Sequence, residues 1–453
     1  MNAFRKYITK EFGVKCINLL KGYNVNDHYN LYLSSLSWSR DKMIAYQIDR
    51  IKEILKYSYE NSNFYKKRID ECGLNLENFK YSDQLKNMAP LTRNELKNKL
   101  NEIVSKEFDL SKCSKSSSSG STGSPAIFYH DKNGIAANRA SMLFIKFLGG
   151  FEPGNKWINI WGNPTAVNVD WKKPSNRYKK YFLNEIRFPA FTLNQKNQFN
   201  VLYKLFKEKK PAFVHGYTNA IFLFSKYLEE RNENITYIKG VFTTAENLHD
   251  YQRKTIQKYL GHVYDHYSCT ETNGIAAQTK FDKYYSVLDP HVYIEFGEIV
   301  DTKTNLRKII LTDLDNRVLP FIRYETGDLS VPLKDNEAQT STLNFSKFTS
   351  LDGRVSDIIT LPNGGNLVVP TFLGARVLRD IEGIKQYQVQ MMRNKIILNL
   401  IIDRNFKTES KKKILNTLDD YIPSEVMYEL VFNREIIYSS NGKFKLLVDN
   451  SSN

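Results

Sequence analysis

Apolar residues first fall into a helical rhythm. In "DKMIAYQIDRIKEILKYSYE" (41–60), Ile44, Ile48, Ile51, Ile54 and Leu55 recur at three- and four-residue spacing, which predicts one buried helix face. The whole of 40–105 reads as helical. "ANRASMLFIKFLGGFEPGN" predicts a further helix, stopped by Gly149 and Gly150. The rhythm then changes. "KWINIW" (156–161) is a short apolar run of the buried-strand kind. Helices are expected over about 195–209 and 218–231, on either side of the strand-like "PAFVHGY". "YIKGVFTT" and "GHVYDHYS" read as strands flanking the helical "HDYQRKTIQKYL". Strands alternating with short helices predict a largely parallel α/β layout.

From about residue 290 the pattern becomes strands without helices between them: "HVYIEFGEIV", "RKIILTDL" and "VLPFIRY". That predicts an antiparallel β subdomain. After "LDGRVSDIITLPNGG" come a helix (371–381), "QYQVQMM", "KIILNLII", a helix (408–420), "VMYELVF" and a basic tail. The expected fold class is α/β. A large N-terminal domain (1–353) of mixed α/β layers would carry the β subdomain, and a small mobile α+β domain (354–453) would follow.

Length and composition agree with this. A chain of 453 residues with 41% hydrophobic and 13% aromatic residues can fill more than one core. The 65 Lys and Arg outnumber the 49 Asp and Glu, which favours anionic partners. The basic runs are short, and no nucleic-acid recognition motif is present, so no nucleic-acid partner is expected. Cys16, Cys72, Cys113 and Cys269 show no paired spacing, which argues for a reducing compartment and against a thiolate metal site. No stretch approaches the roughly 18 apolar residues of a membrane span, and the first residues lack a signal-peptide core. A cytoplasmic protein is the expectation.

The candidate chemistry lies in five stretches. "SSSSGSTGSP" (116–125) has the composition of a linker, yet it sits between folded regions. Gly120 and Gly123 would let backbone N–H groups approach phosphate oxygens. No Gly-Lys-Ser/Thr follows, so it is not the usual P-loop. In "DHYSCTETNG" (265–274), Glu271 could hold a divalent metal, Thr270 could touch a phosphate, and Tyr267 offers a flat face to a base. The plain alternative is a loop. In "IRYETGDLS" (322–330), Asp328 suits a ribose diol, or merely caps a turn. "GRVSDII" (353–359) places Arg354 and Asp357 at the expected domain boundary, and "SSNGKFKLLV" (439–448) places Lys443 after a turn glycine.

In this order the five stretches resemble the adenylate-forming superfamily of acyl-CoA synthetases, adenylation domains and luciferases. The resemblance spans roughly residues 85–450 and is nearest to the phenylacetate–coenzyme A ligase branch, and within it to CapK-type capsular polysaccharide biosynthesis proteins. It implies an ATP- and Mg²⁺-dependent ligase that joins a small-molecule carboxylate to a thiol such as coenzyme A, an amine or a sugar nucleotide. By resemblance, Ser119, Gly120, Ser121, Thr122 and Gly123 form the phosphate loop. Tyr267 would stack on adenine, Thr270 would reach the phosphate, and Glu271 would bind magnesium. Asp328 would hold the ribose, Arg354 would face the nucleotide, and Lys443 would be the catalytic lysine of adenylation. "GVFTTAENL" (240–248) matches the nucleotide-side segment, and the start of "HGYTNAIFLFSKYL" (215–228) would border the acyl pocket.

Three departures from the family pattern stand out. Ser124-Pro125-Ala126 lacks the lysine that relatives often carry near the proline. The hinge position holds Ser356, with Asp357 following. Some relatives carry Cys and His zinc ligands after the Thr-Glu segment, whereas His291 stands here without Cys partners. No zinc is expected, and His291 reads as a structural residue.

Overall fold

A computed structural model describes residues 22–117, 126–161, 183–193, 195, 197–280, 282–333, 343–362, 366–373, 377–378, 381–393, 395–437 and 444–450. The chain forms two compact units, each built from three separate segments. The first comprises Met1–Asn155, Tyr178–Asn184 and Tyr264–Ser350; the second comprises Lys156–Arg177, Glu185–Val263 and Leu351–Asn453.

In the first unit, the helices expected over 40–105 include Arg40–Asn61 and Asn63–Cys72. Ser39 caps the first by accepting the Lys42 amide, and Ser62 caps the second by accepting the Tyr65 amide. The buried face of Arg40–Asn61 carries Met43, Gln47, Ile51, Ile54, Leu55 and Ser58. Ile44, expected on that face, is exposed instead, although close to two full turns separate it from the buried Ile51 and place both on one stripe of the helix. Ile51, Leu55, Tyr65, Leu85 and Phe128 share one core with Phe321, Ile322 and Tyr324. A second core joins Tyr32, Met43, Phe144, Leu288 and Phe345.

The strands lying wholly or mainly in this unit run in the order Val292–Asp301, Leu306–Asp313, Tyr324–Pro332, Lys347–Arg354, Asp282–Val287, Asn273–Thr279, Val263–Cys269. Val292 faces Asp313, Leu311 faces Tyr324, and Ala276 faces both Tyr267 and Val287, in antiparallel register. The antiparallel β reading is thus borne out. "VLPFIRY" is not a strand along its length, however. Pro320 lacks an amide to donate, and Arg323 sits at φ 53, so the strand begins only at Tyr324.

In the second unit, strands Gly240–Thr244, Phe213–Tyr217, Trp157–Trp161 and Glu185–Pro189 lie side by side in that order. They are parallel, pairing Val214 with Val241, Trp157 with Phe213, and Trp157 with Glu185. Helices Gln198–Lys209 and Thr218–Glu230 pack on them through Leu202, Phe206, Ile221 and Phe224. This is the α/β layout the alternation predicted. Residues beyond 383 form a four-stranded sheet in the order Met427–Phe432, Lys395–Ile402, Ile384–Met392, Leu447–Asp449, with helix Thr408–Tyr421 burying Ile414 and Leu418. The helix expected at 371–381 falls partly outside the described residues; what is described begins earlier, as Val369–Phe372, with Pro370 in its first turn.

The C-terminal sheet is tied to the parallel-stranded part of the same unit. Lys226 pairs with Asp403 at 2.9 Å, and Lys385 with Glu230 at 2.6 Å. Burial pulls the His249 pKa down to about 4, and its Nε2 shares a hydrogen bond of 2.8 Å with the Tyr387 hydroxyl. No helix among the described residues is long and apolar enough to cross a membrane.

Candidate active site

Two sequence motifs meet in the first unit. In Arg323–Asp328, Thr326 accepts the Asp328 amide on its hydroxyl at 3.1 Å and donates to the Ile309 carbonyl at 3.2 Å. Gly327 lies at φ 79, where a side chain would be strained. The turn presents Asp328, and Tyr267 donates its hydroxyl to Asp328 Oδ2 at 2.7 Å. Only 5% of Tyr267 is exposed, and Phe348 packs edge-on against its ring. Burial, and then the charge of Asp328, push the Tyr267 pKa well up, so the phenol stays a donor.

The second motif turns directly after Tyr267. Thr270 is exposed at the turn and Glu271 is buried. Tyr324, from the other motif, donates its hydroxyl to Glu271 Oε1 at 3.0 Å. Burial and the Glu271 charge raise the Tyr324 pKa. Glu271 Oε2 has no protein hydrogen bond among the described residues. A buried carboxylate with one oxygen held and one open fits a hard cation such as magnesium.

Two histidines grip the backbone of this turn. His130 Nε2 lies 2.7 Å from the Glu271 carbonyl, and His291 Nε2 lies 2.9 Å from the Thr272 carbonyl. Since carbonyls only accept, both nitrogens donate. His291 Nδ1 faces Asp315 Oδ2 at 2.6 Å. Burial alone would lower the His291 pKa, but the hydrogen bond and charge of Asp315, with the charge of Asp313, hold it raised. His291, Asp313 and Asp315 bring ligand atoms within 4.8 Å of one another. With both ring nitrogens donating, His291 has no lone pair to give a metal. Gly274 closes the turn against helix Lys132–Leu148, where a Cβ would stand 2.9 Å from the Ser141 carbonyl carbon.

Arg323 braces the same region. Its Nε donates to Glu295 Oε2 at 3.0 Å, and its Nη1 donates to the carbonyls of Lys86 and Met88. The backbone of Leu91 bridges it further, donating to the Arg323 carbonyl at 2.8 Å and accepting the Glu325 amide at 2.9 Å.

Tyr267, Glu271 and Asp328 are thus assembled in one unit, with Thr270 beside them in sequence. Arg354 belongs to the other unit, where Asp357 Oδ2 accepts its amide at 3.0 Å. Ser119, Gly120, Ser121, Thr122, Gly123 and Lys443 lie outside the described residues. The strands flanking the first five are described. Ser117 pairs with Ile127 and Ser116 with Phe128, so the serine-rich stretch starts and ends in one unit and joins no two bodies. His130, Tyr324, Arg323 and Glu295 were not singled out by sequence. Their signal is a contact between residues far apart in the chain, and only the nearness of Tyr324 and Arg323 to Asp328 hinted at them.

No protein-family profile matches the chain. Protein CapK of Staphylococcus aureus is 23% identical over 428 residues, covering 93% of this chain and 92% of CapK. Phenylacetate-coenzyme A ligase of Pseudomonas putida is 22% identical over 374 residues, covering 79% of this chain and 80% of that enzyme. Among solved structures, 2-hydroxyisobutyryl-CoA ligase in the postadenylation state superposes with a TM-score of 0.68, at 17% identity, over 90% of this chain and 89% of that one. The chain is a homologue of CapK and phenylacetate-coenzyme A ligase, with the adenylate-forming ligase fold. An amide bond synthetase, McbA of Marinactinospora thermotolerans, shares the fold more loosely, with a TM-score of 0.52 at 11% identity over 73% of this chain.

Proposed function

We propose that this protein is an ATP-dependent ligase that activates a carboxylate as an acyl-adenylate and passes it to an amine or sugar acceptor in capsule or O-antigen polysaccharide assembly. The observation that carries the reading is the junction of the two motifs, with Tyr267 on Asp328 and Tyr324 on Glu271. A carboxylate repels nucleophiles because it is already charged. Its attack on an α-phosphate builds negative charge there, which a site must balance. Asp328 accepts the ribose hydroxyls, and Tyr267 fixes that carboxylate's direction. Glu271 offers its open oxygen to magnesium, which when bound supplies positive charge beside the phosphates. The 119–123 backbone N–H groups and the Lys443 ammonium complete the balance. Residues 354–453 act as a small mobile domain carrying Lys443, turning near Ser356. Gly353, at φ 96, with the Asp357 carboxylate on the Arg354 amide, forms a tight turn where such a pivot would lie.

Coenzyme A is the second acceptor reading, favoured by the homology to phenylacetate-coenzyme A ligase. A panel of carboxylates scored for AMP and pyrophosphate release, with and without coenzyme A, tests both. AMP release that needs an acid supports the ligase, and acceleration by coenzyme A selects the thiol. ATP left intact with every acid would leave a binding protein. Asp328→Ala should weaken ATP binding by roughly 10–100-fold in calorimetry, the loss of a charged hydrogen-bond acceptor. Equal affinity would remove Asp328 from the ribose site.

A further inference from the structure

In the second unit one carboxylate joins two distant amides. Glu246 Oε2 accepts the Asn219 amide at 2.8 Å, and Glu246 Oε1 accepts the Phe444 amide at 3.2 Å. Asn219 lies in the first turn of helix Thr218–Glu230, whose amides have no helical partner. Thr218 also donates its hydroxyl to the Glu246 carbonyl at 3.1 Å, and Ala245, at φ 70, turns the chain into Glu246. Glu246 is therefore fixed from the helix side by both its backbone and one oxygen. Capping the helix needs only that one oxygen. The other reaches the amide nitrogen bonded directly to Lys443.

The remaining ties described between the C-terminal sheet and this part of the unit fasten Lys385, Tyr387 and Asp403, far from Lys443 in sequence. The Glu246 contact bears on the main chain next to the lysine. We propose that Glu246 is a positioning residue for adenylation, holding the backbone directly after Lys443 through the Phe444 amide and so limiting where the ammonium can go. This rests on the reading of Lys443 as the adenylation lysine. Glu246 itself touches no reacting atom. Its effect is on how often the lysine is in place when charge builds on phosphorus, so it should act on turnover and not on ground-state binding.

The test uses the full chain and the acid from the panel that gives most AMP. Pyrophosphate–ATP exchange is measured for wild type, Glu246→Ala and Glu246→Gln, together with melting temperature and hydrogen exchange at the Phe444 amide. Glu246→Ala should lower exchange kcat by about tenfold or more, with KM for ATP within about twofold, and the Phe444 amide should exchange faster. Glu246→Gln keeps one acceptor oxygen and should fall between. A kcat within twofold of wild type in both variants would overturn the role, as would unaltered protection of the Phe444 amide. So would a joint fall of kcat, rising KM and lowered melting temperature in both variants, since that marks a purely structural cap. Wild type that exchanges with no acid would remove the adenylation reading and this role together. Active wild type that is indifferent to Glu246 removes only this role.

Discussion

Lys443→Ala should cut carboxylate-dependent pyrophosphate exchange by about 10²–10³-fold while ATP binding stays within a few-fold. An ammonium aimed at developing charge contributes mainly in the transition state, so its loss appears in kcat. On the proposed reading, ATP would still be held by Asp328, by Glu271 and by the 119–123 segment. Lys443→Arg is the sharper control. It keeps the charge but spreads it over a planar fork, and a compact ammonium is not matched by that geometry. It should recover less than a tenth of the lost rate. Exchange that survives Lys443→Ala would mean that phosphate charge is balanced elsewhere. Affinity lost in step with rate would mean that Lys443 binds ATP and does not drive the chemistry.

The largest effect on stability should come from Arg323→Met. The Arg323 and Glu295 side chains are 7% and 5% exposed, and Glu295 Oε1 is buried with no hydrogen-bond partner. Burial pushes the Glu295 pKa up, and Arg323 opposes it. Removing the guanidinium leaves a buried carboxylate without its counter-charge, at a cost of about 3–5 kcal/mol. It also frees the carbonyls of Lys86 and Met88. Urea unfolding should show the loss at pH 7. The deficit should shrink toward pH 5, because without Arg323 the folded Glu295 pKa rises further above its unfolded value. The folded state then holds the extra proton, and its stability falls as pH rises. Arg323→Met/Glu295→Leu should regain most of the loss, since replacing both partners of a buried pair is far milder than orphaning one. A loss below about 1 kcal/mol in the single variant would show that water reaches Glu295.

Local pattern and long-range contact divide what could be read from sequence. Local pattern identifies "RKIILTDL" and "HVYIEFGEIV" as strands because each is a short run rich in Ile, Val, Tyr and Phe bounded by turn residues, and Ile309, Ile310 and Leu311 are buried on both faces of the sheet. The helix of Arg40–Asn61 was legible from its three- and four-residue apolar spacing, although Ile44 was assigned to its buried face. "VLPFIRY" misled because an apolar run can be buried without being a strand; Phe321 and Ile322 fill the helical core around Tyr65. Tyr267 and Asp328 were legible as members of ordered motifs. Their hydrogen bond was not, and neither was the hold of His130 and His291 on consecutive carbonyls. Those link residues 61, 141 and 19 positions apart, a distance over which no local periodicity carries information. His291 was expected to be structural from its lack of Cys neighbours, and the structure supplies two aspartates in their place.

The segmented build of the first unit has a consequence for biosynthesis. Tyr65 donates its hydroxyl to the Pro320 carbonyl at 2.9 Å and accepts the Ile322 amide at 3.1 Å, partners more than 250 residues later in the chain. At typical translation speeds that gap takes roughly 10–50 s to synthesise. Through that interval the apolar faces of the first helices leave the ribosome before the residues that will cover them exist. Expression of this protein should therefore lean on chaperone capacity more than its final stability suggests, and fragments ending before Tyr324 are poor candidates for soluble domains.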